Sequence, residues 1–174
     1  MHISQSTVCN IVKRISRALA MLMPYFIKFP ANLRNIKAAF ENLGCIGRAP
    51  GLKNIVGAID CTHIKITKPR GTEQYRNRKG YFSLNVQVVG GPNLIIHIYL
   101  LTPILNPRTA HEERYNKAQI KTRNSVERLF GVWKRRFPCL QIGLATKLSK
   151  TANIIIACAV FHNIAIEVND TFEV

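Results

Sequence analysis

The hydrophobic periodicity of this chain changes character at Pro107, and the change restricts the folds open to it. Between residues 51 and 107 apolar residues come in short runs or alternate with a period of two. The strand signals are IVGAI (55–59), HIKIT (63–67), YFSLNVQVV (81–89) and LIIHIYLL (94–101). A basic loop at 69–80, carrying Arg70, Arg76, Arg78 and Lys79 against Glu73, and a turn at Gly90, Gly91 and Pro92 punctuate them. After Pro107 the spacing is helical. Val126, Phe130, Trp133 and Phe137 fall at i, i+4, i+7 and i+11, which predicts a helix over 109–137 ended by Pro138. The apolar segment 148–166 predicts a buried helix packed on a sheet. Strands followed by helices, in a chain of 174 residues of which 47% are hydrophobic, define an α/β domain with a real core and exclude wholesale disorder.

The first 50 residues have a different pattern. From Ser4, which can cap a helix, Val8, Ile11, Val12, Ile15 and Leu19 share one helical face. Pro24 closes this helix, FIKFP (26–30) is an extended link, and 32–42 predicts a second helix. Gly44, Gly47, Pro50 and Gly51 then separate a helical arm (1–50) from the main domain (51–174). Opposite the apolar face stand Gln5, Ser6, Asn10, Lys13, Arg14 and Arg17, amide, hydroxyl and cationic groups suited to base edges and phosphates. The same set describes an ordinary amphipathic helix with a solvated basic face. As the second helix of a helix-turn-helix it would require another helix before Met1.

Charge names the class of partner. Twenty-five Lys and Arg against 9 Asp and Glu give a formal charge of +16, which favours polyanions, nucleic acid ahead of acidic lipid. No apolar run approaches the ~18–20 residues that cross a bilayer, and Lys13, Arg14 and Arg17 interrupt the place of a secretory h-region, so an intracellular protein without a membrane span is expected. The five cysteines form no C-x-x-C and suit reduced, mostly buried thiols. Cys61 with His63, and Cys158 with His162, have chelating spacing but no second pair, so packed or locally bonded histidines are the simpler expectation.

Acids are scarce. Asp60 ends an apolar strand, where a carboxylate emerges at a sheet edge, and Glu127 lies beside the apolar stripe of the long helix. Carboxylates brought together repel unless one is protonated or a cation bridges them, and Mg²⁺ supplies hard, oxygen-seeking charge. From position alone, a surface acid paired with one of many cations is the commoner outcome.

Several motifs in fixed order then carry a resemblance. GAIDCTHIKI (57–66), YRNRKGYFSLNVQVV (75–89), LLTPILNP (100–107), RYNKAQIKTRNSVERLFGVWKRRFPCL (114–140) and AVFHNIAI (159–166) closely resemble the PIF/Harbinger transposases, above all the domesticated Harbinger transposase-derived nucleases. The likeness takes in SQSTVCNIVKRIS and FIKFP, which resemble the family's helix-turn-helix region. It implies an RNase H-like DDE core, a mixed sheet with flanking helices, in which three carboxylates hold Mg²⁺ or Mn²⁺ for DNA strand cleavage. Asp60, in DCTH, matches the first Asp of that family, and Glu127, in R-N-x-x-E-R-x-F-G, its terminal Glu; both would be catalytic metal ligands. The second Asp has no match, because the segment that carries it is missing near residues 96–100, which leaves the core incomplete. Glu73, Glu112 and Glu113 are no obvious substitutes. Cleavage is therefore expected to be deficient. Arg76, Arg78 and Lys79 would grip phosphates, Lys134, Arg135 and Arg136 would form a DNA-backbone or nuclear-import patch, and a Myb-like partner would assist targeting in the nucleus, with passage through the cytoplasm. Two rivals stand beside this: a catalytically inactive DNA- or partner-binding module, and a nonfunctional splice or gene-model remnant.

Overall fold

The computed structural model of the chain describes residues 4–28, 32–45, 50–69, 73–96 and 109–170, apart from the side chains of Glu112, Tyr115, Asn116, Gln119 and Arg123. Arg70, Gly47, the end of FIKFP, the LLTPILNP run and the boundary of the missing segment lie outside the described residues. The elements are α1 (Gln5–Met21), α2 (Met23–Phe26), α3 (Arg34–Leu43), β1 (Ala58–Lys65), β2 (Ser83–Gly90), α4 (Ala110–Arg136), α5 (Cys139–Ile142) and α6 (Leu148–Glu167). The chain forms two compact units, one of Met1–Lys28, His63–Val86 and Trp133–Val174, the other of Phe29–Thr62 and Gln87–Val132.

In the first unit Ser4 caps α1, its hydroxyl accepting from the Thr7 amide at 3.2 Å. The helix ends at Met21, before Pro24, and Pro24 then starts α2, where a missing N–H costs nothing. Phe26 closes α2, so the expected extended link begins later than predicted. Both helices pack along α6, and the Asn163 amide donates to the Phe26 carbonyl at 2.7 Å. By length and mean hydropathy, 1.3, α6 could cross a membrane, contrary to the expectation from apolar runs. Its burial, including polar Thr151, His162 and Asn163, is that of a core helix.

On α1 the residues that share one face by spacing, Val8, Ile11, Val12 and Ile15, remain 44–51% exposed, and the buried residue of the helix is Ser16.

In the second unit α3 buries Phe40 completely, worth ~1.5–3 kcal/mol. The chain leaves α3 through Gly44 and returns against it at Gly51, whose amide donates to the Glu41 carbonyl at 3.2 Å. A Cβ on Gly51 would stand 2.2 Å from that carbonyl oxygen and 2.7 Å from Gly44 Cα, so only glycine fits. The near part of α4 buries Ala118, Thr122, Ser125, Val126, Leu129 and Val132, a stripe at helical spacing.

β1 and β2 pair as a two-stranded antiparallel sheet. The two runs predicted at 55–59 and 63–67 merge into the single strand β1, because alternation is continuous from Ala58: Ala58, Thr62 and Ile64 are buried, while Cys61, His63 and Lys65 are exposed. Isolated bridges extend the pairing, Gly90 with Ile96 antiparallel and Ile66 with Leu144 parallel. The result is a mixed α/β architecture.

Candidate functional site

Asp60 is the third residue of β1, not its end. With a period of two it shares the face of Ala58, Thr62 and Ile64, and it is half-buried. One carboxylate oxygen accepts from the Cys61 amide at 2.8 Å. Sequence alone misplaced this residue because Cys61 and Thr62 do not read as strand continuation, although they keep the alternation.

Glu127 lies within α4 and is exposed. Ser125 and Leu129, two residues to either side, are both buried. Two residues amount to about 200° of rotation, so Glu127 occupies the helix face opposite them. The predicted apolar stripe through Val126, Phe130, Trp133 and Phe137 is rotated from the buried one, because Phe130 and Phe137 are only half-buried. Among the described residues no group of three or more His, Cys, Asp or Glu is placed to hold a metal ion.

The cations divide into engaged and open sets. Glu73 accepts from Lys68 and from Arg76 Nε, the latter at 2.9 Å, and Lys68 and Arg76 also lie over the Phe82 ring at 5.4 and 5.2 Å. The Lys68 ammonium first, with the Arg76 guanidinium, holds the Glu73 carboxyl below its usual range. Arg76 is thus committed to its own loop. Arg78 and Lys79 are exposed and form no ion pair among the described residues, with the Lys79 amide fixed by Asn77 Oδ1 at 2.9 Å. On α1 the side chains of Gln5, Ser6, Asn10, Lys13, Arg14 and Arg17 are all exposed, and Ser6 bonds the capping hydroxyl of Ser4 at 2.9 Å.

The 134–136 cluster is largely engaged. Lys134 donates to the His63 carbonyl at 3.3 Å, and burial lowers its pKa. Arg136 is bound by the carboxylate and the carbonyl of Asp170. Arg135 alone of the three is exposed. His63 Nδ1 meets Ser83 Oγ at 3.0 Å, and Asn77 donates to the same hydroxyl at 3.0 Å. His162 is fully buried, so each histidine is locally bonded or packed, as the spacing argument expected. Nothing in the sequence announced the Asn77–Ser83–His63 web, because its members are joined only by strand pairing.

Of the cysteines, Cys158 alone is fully in the core; Cys9 and Cys61 are exposed. Burial first, and the neighbouring Cys139 second, push the Cys158 thiol up to about 12.

This chemistry can be set beside known proteins. The family described as DDE superfamily endonuclease matches residues 95–163, a segment that includes Glu127 and excludes Asp60. Over a longer span the chain is similar to the rat (Rattus norvegicus) protein named "Putative nuclease HARBI1", 29% identical over 216 residues, and to its human (Homo sapiens) counterpart, 28% identical over 213. Each match covers 95% of this chain and 60% of the relative, so the chain spans about 60% of the length of the curated relatives it matches. Both comparisons agree with the likeness to Harbinger-type DDE endonucleases carried by the sequence motifs. An alignment of 216 residues is longer than the 174-residue chain itself, so the rat protein carries positions with no counterpart here. No solved structure matches the chain.

Proposed function

We propose that this chain is a Harbinger-type, transposase-derived DDE nuclease with an RNase H-like core, which holds DNA through its open cations and is impaired in metal-dependent phosphodiester cleavage. The observation that carries the proposal is a likeness through 95% of the chain, in which no group of three metal-ligating side chains is found among the described residues. Asp60 and Glu127 would be the ligands of Mg²⁺ or Mn²⁺, which in such a site activates water and stabilises the leaving oxygen. Two carboxylates, one facing the core of β1 and one on the outer face of α4, fall short of the three-carboxylate set that the resemblance implies. No cleavage step is therefore assigned to them.

What the chain's own residues offer is DNA binding. The polar face of α1, read as part of a helix-turn-helix arm, supplies Lys13, Arg14 and Arg17 for phosphates and Gln5, Ser6 and Asn10 for base edges. Arg78 and Lys79 would add a second phosphate contact. The exposure of that whole α1 face also favours the second reading, a catalytically inactive binding module. The protein is placed in the nucleus, passing through the cytoplasm, with a Myb-like partner assisting entry; fluorescence imaging of tagged chain with and without the partner tests this.

The deciding experiment incubates purified chain with supercoiled plasmid and Mg²⁺ or Mn²⁺, alongside a binding titration. The expected result is salt-sensitive binding without nicking. Nicking that Asp60→Ala abolishes would overturn the impairment, and absence of DNA binding at low salt would sink the proposal as a whole. A remnant without a stable fold would unfold non-cooperatively in denaturant.

A further inference from the structure

We infer that a cleft in the first unit, between the exit of β1 and the entry of α6, is a binding site for a nucleotide bearing a terminal phosphate. The cleft has a volume of about 600 Å³, within the ~300–1,000 Å³ typical of small-molecule sites. Its apolar surface comes from Ile66, Pro69 and Leu148, and its polar surface from Thr67, Thr146, Lys68 and Lys147; among the described residues no carboxylate lines it. Apolar area beside ammonium and hydroxyl donors suits a ligand with an uncharged planar part and an anionic end. A base with its phosphate has that form, and inorganic phosphate alone would leave the apolar part unused.

The walls are held in place by the backbone. Leu144 N donates to the Lys65 carbonyl at 2.9 Å and Thr67 N to the Leu144 carbonyl at 3.3 Å. Thr151, fully buried, bonds Thr146 Oγ1 at 2.8 Å and fixes the rim. The cations are not equivalent. Lys68 is held by Glu73 and Phe82, whereas Lys147 is exposed.

Lys147 also breaks a local rule. It is the N-cap of α6, where Ser, Thr, Asp or Asn is favoured, it provides no side-chain cap, and the first turn contains no acid. A cation at the positive end of a helix dipole is unfavourable by itself, and an anion in the adjoining cleft reverses the sign. Local disagreement between residue and position is the kind of conflict found at binding sites.

The phosphate could belong to a free nucleotide or to the end of a nucleic-acid strand. The site does not depend on whether the chain cleaves DNA. The test is amide chemical-shift mapping of the full chain titrated with deoxyadenosine monophosphate, inorganic phosphate, and short oligothymidylates with and without a 5′-phosphate. Shifts should cluster at Thr67 and 146–151, deoxyadenosine monophosphate should bind more tightly than inorganic phosphate, and Lys147→Ala should weaken it at least fivefold while Lys53→Ala, at an exposed lysine outside the cleft, leaves it unchanged. Preference for the phosphorylated oligonucleotide over the free nucleotide identifies a strand end as the source, and the reverse identifies the free nucleotide. Shifts spread over the cationic surface, or equal losses in Lys147→Ala and Lys53→Ala, would overturn the assignment.

Discussion

Gly90, at the end of β2, lies directly against Leu129 of α4: a Cβ added there would stand 3.1 Å from Leu129 Cδ2 and 3.4 Å from Val126 Cα. This contact seats the helical turn that carries Glu127. The tight neighbour is the end of a side chain, which can give by a few tenths of an ångström, while Val126 Cα is in ordinary van der Waals contact. Gly90→Ala should therefore change stability by less than about 1 kcal/mol, and Gly90→Val, whose branches must enter the same space, should cost about 1–3 kcal/mol by overpacking. Gly51→Ala, which drives a methyl into the Glu41 carbonyl, should cost roughly 2–4 kcal/mol. Urea denaturation of the three variants checks the order, and a Gly51→Ala protein as stable as the parent would contradict the geometry.

DNA affinity should depend on which cations are open. Each phosphate contact contributes about 0.9 to the slope of log affinity against log salt. Replacing Lys13, Arg14 and Arg17 together by Ala should reduce that slope by about 2 to 3, and replacing Arg78 and Lys79 by about 1 to 2. Arg76→Ala should leave it almost unchanged, because Arg76 already serves Glu73 and Phe82. Fluorescence anisotropy across a salt series measures all three.

The Cys158 thiol ties stability to alkaline pH. Its folded pKa, about 12, lies above the ordinary 9.0, so the folded state keeps a proton that the unfolded state loses. This contribution is fully present below pH 9 and is lost as pH rises toward 12. Stability measured from pH 8 to 11 should fall, and the fall should be shallower in Cys158→Ala. In the folded protein, iodoacetamide should reach Cys9 and Cys61 well before Cys158.

Asp170 binds a guanidinium whose side chain is 10% exposed, while its own carboxylate is 60% exposed. Asp170→Asn keeps the shape and removes the charge, and should cost about 1 kcal/mol after allowance for solvent screening. The loss should shrink in high salt. A melting temperature identical to that of the parent at low salt would show the pair to be energetically idle.

Much of the fold could be read from the sequence, and the failures have particular causes. The helix after Ser4, the long helix ended by Pro138 and the apolar helix from Leu148 are local structures with strong signals, and they form where expected. Asp60 was misplaced by the composition of its neighbours: alternation through Cys61 and Thr62 proved stronger than the apparent end of an apolar run. The exposure of Val8, Ile11, Val12 and Ile15 could not be read, because an apolar stripe announces a buried face without naming what covers it. Arg76 looked like Arg78 in sequence, yet Glu73 and Phe82 claim one and not the other. The cleft at Lys147 was invisible for a similar reason, since its walls come from segments nearly eighty positions apart.

Within α6, two polar side chains act as spaced pegs. Thr151 fastens the start of the helix to Thr146, and Asn163 fastens its last third to the Phe26 carbonyl. One residue added or deleted between them would swing one peg by about 100° relative to the other and strand a buried amide or hydroxyl. The interval between Thr151 and Asn163 is therefore a fixed ruler: its letters can change within limits, but its count cannot.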